Sequence, residues 1–168
     1  NLEERINLNR RFELAMTIEV AEHLSPARAD SFVEDLTKLS DVILFSAAAP
    51  ATVGVNHVNE RWQSYWAQKF LRLGYVAVDC IRSRIWTDNR ISDIRKQTAF
   101  IYVKSTELYR YPELHEFYLK HRDNLIYDLI HPSVFANRLI KLKNTCEQLQ
   151  KDYAQLQAYL EKIVHEKE

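Results

Sequence analysis

Asp41-Val42-Ile43-Leu44-Phe45-Ser46-Ala47 is the clearest strand in this sequence. Its unbroken apolar middle fits a parallel strand covered on both faces. Towards the N-terminus, Phe12 to Val20 is a second short apolar run suited to a buried strand. Between the two, Ser25-Pro26 reads as an N-cap followed by proline at the first helical position, and Ala29, Phe32, Val33, Leu36 and Leu39 follow at helical spacing. Residues 48 to 60 read as a small polar loop holding Pro50, Gly54, His57 and Asn59. Trp62 to Leu73 then reads as an amphipathic helix with Trp62, Trp66, Phe70 and Leu73 along one stripe, stopped by Gly74. Tyr75 to Ile81 and Thr98 to Val103 read as further strands, the latter with Phe100 and Tyr102 on one face and Ala99, Ile101 and Val103 on the other. This order predicts an α/β sheet that is parallel at first, with its last two strands as an antiparallel hairpin. A helix is expected from Pro112 to Ile130.

The tail differs in kind. From Phe135, apolar residues step by four and three alternately through Leu139, Leu142, Cys146, Leu149, Tyr153, Leu156, Leu160 and Ile163. That is an a/d seam across about four heptads, uninterrupted by glycine or proline. The sequence therefore divides into residues 1–104, a helical connector over 105–133 and a heptad helix over 134–168. Residues 135–163 offer a surface for a homodimer, and a parallel, in-register pairing would set Cys146 opposite Cys146.

Composition narrows the function. Lys plus Arg and Asp plus Glu each number 23, so the formal net charge is zero, which argues against nucleic acid or an anionic membrane as partner. No apolar run approaches the ~18 residues of a membrane span. Two distant cysteines, Cys80 and Cys146, show no metal or disulfide spacing, so a cytoplasmic setting is expected and Cys80 reads as a buried thiol. The chain has two glycines where average usage of roughly 7% would give about 12. A glycine-rich phosphate or cofactor loop is thereby excluded from it. Arg82, Arg84, Arg90 and Arg95 around Trp86 read as a solvated loop before they read as an anion site.

Thr17-Ile18-Glu19-Val20-Ala21-Glu22-His23-Leu24 lies where a strand ends and a helix is about to begin. In open α/β sheets ligands bind beyond the carboxyl ends of strands. If the chain turns after Val20, Glu19, Glu22 and His23 can offer ligands to one divalent cation, joined by His57 from the loop after the next strand. Two imidazoles with carboxylate suit Mn²⁺, Fe²⁺ or Zn²⁺ better than Mg²⁺. The same residues also read blandly, with Glu22 and His23 facing solvent as caps of the next helix and His57 as an ordinary loop residue.

These segments resemble a known family. Phe12-Glu13-Leu14 leading into Glu19-Val20-Ala21-Glu22-His23-Leu24 resembles the fourth-strand signature of class I S-adenosylmethionine-dependent methyltransferases, and Val42 to Pro50 looks like the fifth strand and its loop. His57-Val58-Asn59-Glu60-Arg61-Trp62 through Phe70 and Gly74-Tyr75 is similar to the next helix and sixth strand. The likeness covers residues 8 to 103 and is nearest to small bacterial enzymes of the methyltransferase-11/23 kind. It implies a partial Rossmann-like methyltransferase sheet, strands four to seven, with a C-terminal helical, coiled-coil-like extension. It further implies O-methyl transfer to a small molecule or glycan, S-adenosylmethionine set against Glu19 and Val20, and in some branches a divalent metal (Mg or Mn) held by the counterparts of Glu19, Glu22, His23 and His57. Without a metal, His23 or His57 would act as general base. The family's first strand, glycine-rich loop and acidic ribose ligand would fall ahead of Asn1, so the chain is expected to be the C-terminal half of such an enzyme. The competing expectation is a non-catalytic, degenerate scaffold assembling through its C-terminal coiled coil.

Overall fold

A computed structural model describes residues 1–50, 52 and 54–165, which form two compact units, Asn1–His131 and Pro132–Glu168. The first is α/β and is built on a four-stranded mixed sheet: β1 (Ala15–Ile18), β2 (Val42–Ser46), β3 (Tyr75–Val78) and β4 (Phe100–Lys104), in the spatial order β1-β2-β4-β3. β1 pairs parallel with β2, and β4 is antiparallel to both β2 and β3. The expected pairing of the last two strands is present but is not a tight hairpin. Two short helices, α3 (Arg82–Ile85) and α4 (Asp93–Thr98), separate them, and β4 enters between β2 and β3.

Helices α1 (Ala29–Leu39) and α2 (Gln63–Arg72) cover one face of this sheet. Phe32, Val33 and Leu36 from α1 and Trp66 and Phe70 from α2 bury against Ile43, Phe45, Phe100 and Tyr102. Phe70 and Tyr102 stack at 3.9 Å between centroids. The Tyr75 hydroxyl donates to the Ser40 carbonyl at 2.7 Å, which joins the start of β3 to the end of α1. The opposite face is covered by Leu108 and by α5 (Pro112–His121), whose Leu114 and Phe117 pack over Val42, Val78 and Val103. β2 is thus covered on both sides, as its apolar run requires. β1 is not: Met16, on its outward face, is 64% exposed.

Several elements depart from the sequence expectation. The first strand spans four residues rather than nine, because Glu19 takes a left-handed φ of 55° and turns the chain. Ser25 does not cap α1; its N–H and hydroxyl donate to the Glu3 carboxylate, and a 3-10 turn over Pro26–Arg28 precedes the helix. Trp62 and Leu73 leave the α2 stripe, at 36% and 38% exposure, since the helix starts after Trp62 and ends before Leu73. Gly74 does terminate it, with φ 80°.

The helix expected over Pro112 to Ile130 stops at His121. Beyond a 3-10 turn at Arg122–Asn124 the backbone is claimed by tertiary partners. Buried Arg82 donates to the carbonyls of Ile126 and Tyr127, and Asp128 accepts from the Ser64 amide (2.8 Å) and hydroxyl (2.7 Å) at the start of α2. Main-chain carbonyls turned to Arg82 in this way are not aligned for a continuing helix. Arg82 is accordingly no solvated loop residue. Cys80 is buried, and burial pushes its thiol pKa up.

The second unit is one helix, α6 (Pro132–His165), with its apolar stripe exposed. Among the described residues no helix is long and apolar enough to cross a membrane. Truncating Phe70 to alanine should destabilise the first unit by about 3–5 kcal/mol, whereas Trp62→Ala should cost less than about 1 kcal/mol. Urea denaturation measures both; equal losses would contradict this assignment of the core.

Candidate metal centre

The site begins with the turn at the end of β1. The Glu19 N–H still donates to the Ser46 carbonyl at 3.0 Å, so the strand register holds one residue past Ile18. The left-handed φ at Glu19 then swings the chain into a 3-10 turn over Ala21–His23, closed by the His23 amide on the Val20 carbonyl at 3.0 Å. In this turn Ala21 and Glu22 point inward and His23 outward. Glu22 is 0% exposed, which overturns the reading of it as a solvent-facing cap.

The second half of the site is brought in through backbone. The Glu22 carbonyl accepts from the amides of Val58 and Asn59, both at 2.9 Å. This sets the His57 ring edge-on to His23, with centroids 4.8 Å apart at 80°. Ligand-capable atoms of Glu22, His23 and His57 lie within 4.8 Å of one another. Of the surrounding loop, Ala51 and Val53 lie outside the described residues.

Each imidazole is held by its Nδ1. His23 Nδ1 faces the Asn56 carbonyl at 3.3 Å, and His57 Nδ1 faces Glu60 Oε1 at 2.7 Å. A carbonyl or carboxylate can only accept, so Nδ1 carries the hydrogen and the lone pair of each neutral ring sits on Nε2. A carboxylate that fixes the tautomer of a histidine in this way is the outer partner found behind metal-binding imidazoles. Gly54 abuts the same ring: a Cβ there would stand 2.0 Å from His57 Nε2. No larger residue fits unless the ring moves.

Glu22 is the energetic anomaly. Among the described residues neither of its carboxylate oxygens makes a full hydrogen bond, although the backbone amides of Glu22 and Ala48 lie near enough to favour the charged form. Burial raises its pKa above the ordinary carboxylate range and the nearby Glu19 charge pushes the same way, against smaller opposing effects of backbone groups and His23. A buried carboxylate without a full hydrogen bond needs a proton or a cation.

Glu19 belongs to a different group. Its Oε1 accepts from the Ser46 hydroxyl, and the Thr98 hydroxyl stands 2.8 Å from Ser46 Oγ and 3.4 Å from the same Glu19 oxygen. Of the four residues proposed as a metal set, the structure therefore groups Glu22, His23 and His57, and directs Glu19 to Ser46 and Thr98. Val20 packs against the apolar core. Sequence reasoning missed Glu60 and Gly54. Both left a trace: Glu60 stands three residues after His57, and Gly54 is one of two glycines in the chain.

No protein-family model matches this chain, and no match to a curated protein or a solved structure was found.

A group whose folded pKa is raised favours folding below its unfolded pKa, and that contribution is lost as pH rises through the folded value. Glu22→Gln should therefore raise the melting temperature of the cation-free protein by a few degrees at pH 7, with the gain disappearing as pH falls below the ordinary carboxylate range. Thermal scans from pH 4 to 8 measure this; a variant less stable than the parent at pH 7 would show that Glu22 is already compensated.

Proposed function

We infer that the chain is the acceptor-side part of an S-adenosylmethionine-dependent methyltransferase acting on a hydroxyl of a small molecule or glycan, with Glu22, His23 and His57 as its divalent-cation ligands. The observation that carries this reading is the buried Glu22 carboxylate, without a full hydrogen bond among the described residues, beside two imidazoles whose Nδ1 contacts leave the lone pair on Nε2. Its position supports it too. The group lies past the carboxyl ends of the parallel strands β1 and β2, where open α/β sheets bind ligands. The reversed last strand is compatible with the assignment of the four strands to positions four to seven of a methyltransferase sheet.

The donor set fits a cation of borderline softness such as Mn²⁺, Fe²⁺ or Zn²⁺. When bound, such a cation supplies the charge that acidifies an acceptor hydroxyl, and the sulfonium cofactor supplies the methyl group. Glu22 contributes the negative charge, and its burial keeps that charge unscreened. His23, on the exposed side of the turn, lies where an acceptor would approach. With no cation bound, the His57 lone pair would instead take the hydroxyl proton directly, since the resulting imidazolium already faces the Glu60 carboxylate. Ser46 and Thr98 hold Glu19 apart from these groups. The nucleotide-binding side is not found among these residues; with two glycines the chain has no glycine-rich cofactor loop, so no step is assigned to residues that grip the cofactor.

Isothermal titration of the metal-free protein with Mn²⁺ or Zn²⁺ should show saturable binding that Glu22→Gln or His57→Ala weakens by about 10- to 100-fold. Gly54→Ala, which presses one methyl group against His57 Nε2, should weaken it as well. Equal binding by all variants would remove the cation site. Titration of the intact gene product with S-adenosylmethionine tests the wider reading, and no binding there would end it.

A further inference from the structure

Two carboxamides beside the cation site each keep one polar atom without a hydrogen bond among the described residues: Nδ2 of Asn59 and Oε1 of Gln63. Both side chains are buried, at 2% and 1% exposure. We propose that Asn59 and Gln63 together hold a second hydroxyl of the acceptor, adjacent to the one that meets the cation, so that the site takes a vicinal diol of the sugar or polyol class. The inference rests on the cation reading of Glu22, His23 and His57 and deepens it.

The backbone gathers these groups. The Asn59 N–H donates to the Glu22 carbonyl at 2.9 Å. Gln63, the first residue of α2, donates from Nε2 to the Ala47 carbonyl at 2.8 Å. The neighbouring Ala48 has its amide near the Glu22 carboxylate, and its carbonyl accepts from the Arg61 amide at 3.3 Å. Two carboxamides and one carboxylate are thus fastened around Ala47 and Ala48, just past the end of β2. The unmet groups of Trp66 and Tyr102 belong instead to side chains of the apolar core.

Neither carboxamide can turn over to relieve its own demand. Arg61 Nε donates to Asn59 Oδ1 at 3.0 Å, which leaves Nδ2 as the free end. The Ala47 carbonyl only accepts, so Nε2 of Gln63 stays on it and Oε1 is left over. One free end needs an acceptor and the other a donor. A carboxylate cannot donate and an ammonium cannot accept, whereas a hydroxyl does both. The direct bond between the Asn59 and Glu22 backbones keeps the two demands close, which favours hydroxyls on adjacent carbons. Buried polar groups built to bond a hydroxyl reject an analogue that lacks it.

The test uses the full chain loaded with Mn²⁺, with cis-1,2-cyclohexanediol and cyclohexanol as probes. Broadening of ligand proton resonances by the bound Mn²⁺ gives the affinity of each. The diol should bind roughly tenfold or more tightly than the single alcohol. Gln63→Met, close to glutamine in size, should bring that ratio near one while its Mn²⁺ affinity stays at the parent value. A loss of fold would lower the Mn²⁺ affinity as well, and the variant Gln63→Leu then repeats the comparison. Equal or absent binding of the two probes, or a ratio that Gln63→Met and Gln63→Leu leave unchanged, overturns the diol assignment and leaves the cation site standing. Failure of the parent chain to bind Mn²⁺ removes the cation site, and the diol assignment with it.

Discussion

The Glu22 carbonyl, accepting from Val58 and Asn59 at once, is the contact on which the candidate site depends. It joins a turn after one strand to a loop after the next, and it does so through main-chain atoms. Side-chain chemistry then follows from where the backbone has been put. His57 comes beside His23, Glu60 fixes the His57 tautomer, and Gly54 leaves room for the ring. The clasp works only because the left-handed residue at the end of β1 turns Glu22 inward before the loop arrives. A non-glycine residue at positive φ carries a conformational cost, and such costs gather at functional sites.

The same turn separates two carboxylates three residues apart. Glu19 accepts from the Ser46 hydroxyl on β2, with the Thr98 hydroxyl beside them, whereas Glu22 has no such donor among the described residues. Two acidic residues in one short segment thereby acquire different chemistry from their surroundings. One is held in place by hydrogen bonds; the other keeps an unmet demand for positive charge.

Much of the sheet was legible in the sequence because its signals are local. The unbroken run from Val42 to Phe45 reports burial on two sides, and the alternation of Phe100 and Tyr102 with Ile101 and Val103 reports two different covers. The end of α5 was not legible. It is set by Arg82, which takes the carbonyls of Ile126 and Tyr127, and by the open N-terminus of α2, which holds the Asp128 side chain; both come from elsewhere in the chain. Ser25 carries a good cap residue's chemistry but spends it on Glu3. At the site, the residue types and the strand-end position could be read. The division of labour between Glu19 and Glu22 could not, because it turns on a single backbone angle that glutamate rarely adopts.

β1 is a terminal strand with an uncovered outer face, and this shapes how the molecule behaves among its own kind. Among the described residues no strand pairs with its outer margin, which lies next to Leu14, Met16 and Ile18, and the strand itself carries neither a charged side chain nor a proline. Such a margin is a template for adventitious strand addition. Strand addition at this rim would rest on main-chain pairing and apolar contact, over which ionic strength has little hold.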